Sequence, residues 1–78
     1  MADPLATLFG ALVRRRREAT GLSQEEVGER TNLSRNYIGM VERGETNPTL
    51  RVLQSLAQAL GTTMVSLVRE LEDSLGGG

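Results

Sequence analysis

Apolar residues recur at spacings of three and four along most of the chain, and capping residues cut that rhythm into five segments. Leu5, Leu8, Phe9, Leu12 and Val13 share one helical face. Asp3 can cap it, Pro4 suits the first helical position, and Gly21 offers a left-handed stop. The pattern predicts a first helix over about 4–20. Ser23-Gln24-Glu25-Glu26 is a capping box, in which Glu26 reaches back to the backbone of Ser23. It opens a short second helix ending near Thr31, and Asn32 follows as a residue that tolerates the left-handed conformation. Ser34 caps a third helix through about Arg43, closed by Gly44. After the polar loop Glu45–Pro48, Thr49 caps a fourth helix with Leu50, Leu53, Leu56, Ala57 and Leu60 inward, stopped by Gly61. Thr62 or Thr63 caps a fifth that carries Met64, Leu67, Val68, Leu71 and Leu75. No segment alternates with period two over the length of a strand, so the expected fold is all-α. It is read as one domain over 1–75, with Gly76-Gly77-Gly78 as a disordered tail.

Composition removes most chemistry. The chain has 78 residues, 38% of them hydrophobic, with no cysteine and no histidine. Thiolate metal sites, disulfides, thiol nucleophiles and the commonest general base are therefore all missing. No enzyme, metal centre, cofactor or small-molecule ligand is expected. A domain this small is marginal unless well capped or joined by a partner. The apolar runs fall far short of the roughly 20 residues of a membrane span. No basic region precedes an apolar core at the N-terminus, so a cytoplasmic protein is expected.

Net charge is −1, yet all nine basic residues are arginines and four stand together at Arg14, Arg15, Arg16 and Arg17. The run lies at the end of helix 1, where cations complement the helix dipole. For Arg14 to Arg16 a solvated helix end is the preferred reading, with a phosphate-binding patch as its rival. Net charge alone does not point to nucleic acid.

The informative stretch is Ser23 to Gly44. Two short helices joined by a tight turn make a helix-turn-helix, whose second helix enters the major groove of DNA. Gly28 allows close packing across helix 2, and Asn32 makes the turn. Val27, Leu33, Ile38 and Val41 point towards one core. That leaves Arg35, Asn36, Gly39, Met40 and Arg43 on the other side of helix 3.

The run GLSQEEVGERTNLSRNYIGMVERGETNPT, continuing to LRVLQSLAQALG, resembles the helix-turn-helix domain of lambda- and 434-type repressors and Cro proteins. This is the xenobiotic-response-element family of regulators, and the likeness covers roughly residues 5–72. Within it, the segment SRNYIGMVERGETNPTL and the short chain are most similar to controller proteins of restriction–modification systems. The resemblance implies a lambda-repressor-like domain that binds double-stranded operator DNA as a homodimer and regulates transcription, in a bacterial or phage setting. It implies that Gln24 contacts phosphate, and at times a base edge. Ser34, Arg35 and Asn36 match the first turn of the recognition helix, and Tyr37 and Met40 match positions close to DNA. Arg43 and Asn47 match the region that contacts the DNA backbone. Arg17 and Glu42 match an ion pair joining helices 1 and 3. Asn32 departs from the usual turn glycine and Gly28 from the usual alanine. Gly39 and Met40 are weak base readers, which concentrates expected specificity on Arg35 and Asn36.

Side-chain chemistry agrees. Arginine offers a donor fork to the two acceptors of guanine, and asparagine pairs both ways with adenine. Tyr37 has an apolar ring and a polar tip, so it can serve core and interface together. Glu26 is taken by the cap, and Glu25 with Glu29 reads as a solvated stripe turned away from DNA. Leu71 and Leu75 exceed what a four-helix core needs; a flap closing the monomer core is one reading, and a dimer seam formed with Val68 is the preferred one. The rival reading is an antitoxin-like or anti-repressor module that docks on another protein through acidic helix 2. Binding through several phosphates weakens steeply with salt, whereas apolar docking does not.

Overall fold

The computed structural model describes residues 3–76, and these form five helices and no strand. They are α1 (Pro4–Thr20), α2 (Gln24–Thr31), α3 (Arg35–Glu42), α4 (Leu50–Ala59) and α5 (Met64–Gly76). Each N-terminus is set locally. Asp3 accepts from the Leu5 N–H, Ser23 from Glu26, Ser34 from Tyr37, Thr49 from Val52 and Thr63 from Ser66. The capping box of α2 is complete, because the Ser23 N–H donates to Glu26 Oε1 at 2.9 Å. That bond, followed by the one to the Ser23 hydroxyl, holds the Glu26 carboxyl below its ordinary pKa.

The turn between α2 and α3 rests on Asn32, which adopts φ 59° and ψ 33°. A Cβ at Gly28 would lie 2.7 Å from the Leu33 carbonyl oxygen, so the missing side chain lets the turn approach α2 this closely. Asn32 is the sole non-glycine residue with positive φ among those described. A left-handed conformation costs an ordinary L-residue about 1–2 kcal/mol, and asparagine recovers part of this through local hydrogen bonding. Asn32→Ala is therefore expected to lower stability by about 1 kcal/mol in urea denaturation, and Asn32→Gly to leave it nearly unchanged.

One core serves all five helices. Phe9, Leu12 and Val13 of α1 meet Val27, Ile38, Val41, Leu56, Ala57, Ala59, Leu60 and Leu67. Leu33, Tyr37, Leu53 and Leu71 pack against it while partly exposed. α1 lies against α3 and α5, while α2 packs on α3 and α4, and α4 on α5. The α1–α3 crossing is close because Gly10 brings backbone onto backbone. A Cβ there would fall 2.3 Å from the Val41 carbonyl oxygen.

Three expectations need correction. Leu50 is 76% exposed, because the first residue of α4 lies a turn beyond the edge of the core. Leu5, expected on the buried face of α1, is 45% exposed for the same reason. α3 ends at Glu42 with Arg43 as its C-cap, within one residue of the expected end, and Gly44 follows at φ 73°. Gly76 closes α5 instead of opening a tail, while Gly77 and Gly78 lie outside the described residues.

Candidate nucleic-acid interface

The core fixes which face of α3 remains free. Ile38 and Val41 are buried, so Arg35, Asn36 and Arg43 stand on the opposite, exposed side. Along that side Arg35, Gly39 and Arg43 follow at intervals of four and form one row. Together with Asn36 and Gln24, the first residue of α2, they line an open concavity of about 230 Å³. Its floor is Gly39. Any larger residue would fill the space between Gln24 and Arg43.

Gln24 is held from behind. Its Nε2 donates to Glu42 Oε1 at 3.0 Å. Glu42 also accepts from Arg17, with Nε to Oε2 at 2.6 Å and Nη2 to Oε1 at 3.1 Å. Arg17 Nη1 donates to the Leu22 carbonyl at 3.0 Å, so the guanidinium ties α1, the α1–α2 turn and α3 together. The Glu42 side chain is 3% exposed and that of Arg17 13%. The hydrogen bond to Glu42 raises the Arg17 pKa above its already high ordinary value, so the guanidinium stays charged. With Nε2 fixed in this way, Gln24 keeps its carbonyl and its second amide hydrogen for a ligand.

Ser34 spends its oxygen on the α3 cap, which leaves its O–H free to donate. Tyr37 is half-buried against the core, and Met40 is half-buried beside the concavity without lining it. Asn47 does not line this concavity, but it borders a separate depression with Arg43, Gly44 and Glu45. It lies past the end of α3, between the N-terminal turn of α1 and α5, in a groove with Leu5, Phe9, Pro48, Leu53, Val68 and Leu71.

The arginine run divides. Arg14 pairs with Glu18 one turn on, at the surface. Arg16 hydrogen-bonds Glu70 of α5, and Arg15 stands 4.0 Å from the same carboxylate. Those two arginines thus orient α5 on α1. The acidic stripe of α2 also departs from expectation. Glu25 borders a shallow depression with Arg17, Ser23, Gln24 and Arg35, so one end of the stripe meets the candidate interface.

Three partners escaped sequence reasoning. Glu45 receives Arg43, Glu70 receives Arg16, and Glu42 receives Gln24. Nothing in a charge pattern marks a partner 54 residues away or one set by a loop. Among the described residues no group of His, Cys, Asp and Glu could hold a metal ion. No helix is long and apolar enough to cross a membrane.

An all-α domain with a capped, exposed helix held on a tight turn is a lambda-repressor-like DNA-binding fold. Residues 13–67 match the helix-turn-helix family, and the chain belongs to that family of transcriptional regulators. An HTH-type transcriptional regulator of Sinorhizobium fredii is 43% identical over 67 residues, covering 86% of this chain and 87% of its own. The control protein C.SmaI of Serratia marcescens is 48% identical over 56 residues, 72% of this chain and 67% of that protein. Among solved structures, the restriction–modification controller protein C.AhdI of Aeromonas hydrophila superposes with a TM-score of 0.77 at 40% identity. It spans 80% of this chain and 94% of its own.

Proposed function

We infer that this protein is a sequence-specific regulator of transcription that binds double-stranded DNA as a homodimer and has no catalytic role. The observation that carries this reading is the first turn of α3, where Arg35 and Asn36 stand exposed beside the anchored Gln24. That turn reaches deepest into a major groove, and both side chains match base edges bidentately. The controller proteins among its relatives support a place in a restriction–modification system, with control of its own synthesis as part of the reading. One of them, C.Esp1396I, is described as a tetramer on its natural 35 base-pair operator; its structure has a TM-score of 0.83 at 25% identity and spans 91% of this chain and 93% of its own. Control by concentration and self-association follows for the present chain, and it works in the cytoplasm, on the nucleoid. Selection from random duplex DNA tests the reading. A pseudo-palindrome with half-sites about 10 bp or a multiple apart is expected, with affinity falling steeply as salt rises. Salt-insensitive binding to protein alone would instead support a docking module.

The dimer seam is assigned to α5, with changed membership. Val65 is 64% exposed, Val68 38% and Leu75 54%, whereas Leu71 packs partly into the core. Leu71→Glu is therefore expected to lower the melting temperature. Val65→Glu and Leu75→Glu are expected to leave the helical signal intact and shift sedimentation towards monomer, with weaker operator binding. Unchanged sedimentation for both would move the seam elsewhere.

A further inference from the structure

Arg43 caps the end of α3, and from there a side chain reaching outward would meet the phosphate backbone, the role its resemblance implies. The guanidinium lies elsewhere. Helical side chains lean towards the N-terminus, and Arg43 lies back over residue 39, one turn earlier. A Cβ on Gly39 would stand 3.0 Å from Arg43 Nη1 and 3.8 Å from its Cζ. The guanidinium can occupy that position because residue 39 has no side chain. Glu45 grips the opposite edge, accepting from Nε at 2.8 Å and from Nη2 at 3.2 Å. What remains free is Nη1 and the second hydrogen of Nη2, an end-on pair of donors. It borders the same concavity as Gln24, Arg35 and Asn36.

Phosphate contact and base reading make different demands on an arginine. Attraction to phosphate scales with net charge and counterion release, and a guanidinium paired with a carboxylate, here at the surface with side chains 56% and 50% exposed, contributes less of either than a free one. Base reading depends instead on donors held in a fixed direction, which the carboxylate supplies. We propose that Arg43 is a second base reader, aimed by Glu45 across Gly39 at a guanine edge next to the one read by Arg35. Glu45 acts as a positioning residue and Gly39 as the space the guanidinium needs. The inference rests on the reading that α3 enters the major groove.

The test is the affinity of purified full-length variants for the selected operator and for duplexes changed one base pair at a time. Arg43→Gln is expected to lose about tenfold discrimination at one guanine per half-site, a position distinct from the one lost with Arg35→Ala. Glu45→Gln should lose discrimination at that same guanine while binding all duplexes more tightly and with a steeper salt dependence, because it frees Arg43 to meet phosphate. Gly39→Ala displaces only the far end of a flexible side chain, so it should fold and lose the same position. Should it melt early, Glu45→Gln carries the test. Equal losses on every duplex for Arg43→Gln, or intact discrimination in Glu45→Gln, would overturn the proposal and return Arg43 to the phosphate backbone. If Arg35→Ala still flattens its own position in that event, the DNA-binding reading stands. If the unaltered protein selects no sequence, both fall.

Discussion

Glu42→Ala is expected to destabilise the domain by about 3–5 kcal/mol, the cost of removing one partner from a buried ion pair. A small domain has only about 5–15 kcal/mol in total. The carboxylate is almost wholly buried and accepts three hydrogen bonds, two from Arg17 and one from Gln24. Alanine would leave the Arg17 guanidinium largely out of water with only the Leu22 carbonyl as partner. The charge cannot be shed, because arginine does not lose its proton in proteins. Glu42→Gln tests the origin of the effect, since it keeps shape and an acceptor while removing the charge, and it should fall between alanine and the unaltered protein. Replacing both partners by apolar residues of similar volume, as in Arg17→Met with Glu42→Leu, should recover much of the loss, since desolvation of both ions is then removed. Urea denaturation of the four proteins measures this. An unchanged midpoint for Glu42→Ala would show that the pair contributes no more than an exposed one, about 0–1 kcal/mol.

The features legible in the sequence were those decided within a few residues. Asp3, Ser23, Ser34 and Thr49 each meet an amide two or three positions on, so the beginnings of α1 to α4 could be read from residue type alone. Asn32 could be read as a turn for the same reason. Burial was legible where periodicity runs through the middle of a helix, as at Leu12, Ile38, Leu56 and Leu67, all essentially inaccessible. It failed at helix ends. Leu5 and Leu50 keep the spacing but stand outside the packed region, and Leu71, assigned to a dimer seam, shares the face of buried Leu67 and packs partly against the core. In the candidate interface, Arg35 and Asn36 were legible because exposure follows from the helical period once Ile38 and Val41 are in the core. The conformation of Arg43 was not, because it depends on a carboxylate in an irregular loop and on the missing side chain of Gly39. The link from Arg17 to Glu42 spans 25 residues and was accessible only through resemblance.

Arg35→Ala is expected to abolish the preference for guanine at one symmetric position in each half-site, a loss of about 1–3 kcal/mol of discrimination. Among the described residues Arg35 forms no ion pair, unlike Arg17 and Arg43, so its fork is free to meet two acceptors. It is the first residue of α3, directly after the Ser34 cap, and the core places it away from Ile38. Guanine offers O6 and N7 in the major groove at the spacing of that fork, whereas adenine presents a donor at the matching position and would repel it. Affinity for the preferred operator should therefore fall sharply, and affinity for the operator already changed at that base pair should fall little. Asn36→Ala should act at a neighbouring position through loss of adenine preference, by the same reasoning. Asn47→Ala provides the contrast, since Asn47 is exposed and lies outside the α3 concavity. If it touches DNA at all it touches backbone, so any loss should be uniform across sequences and accompanied by a changed approach to the duplex rather than a changed preference. The measurement is a matrix of dissociation constants, three variants against single-base-pair substitutions, at one salt concentration. Equal losses along the whole Arg35→Ala row would mean that Arg35 holds phosphate, and the assignment of specificity to the first turn of α3 would then fail.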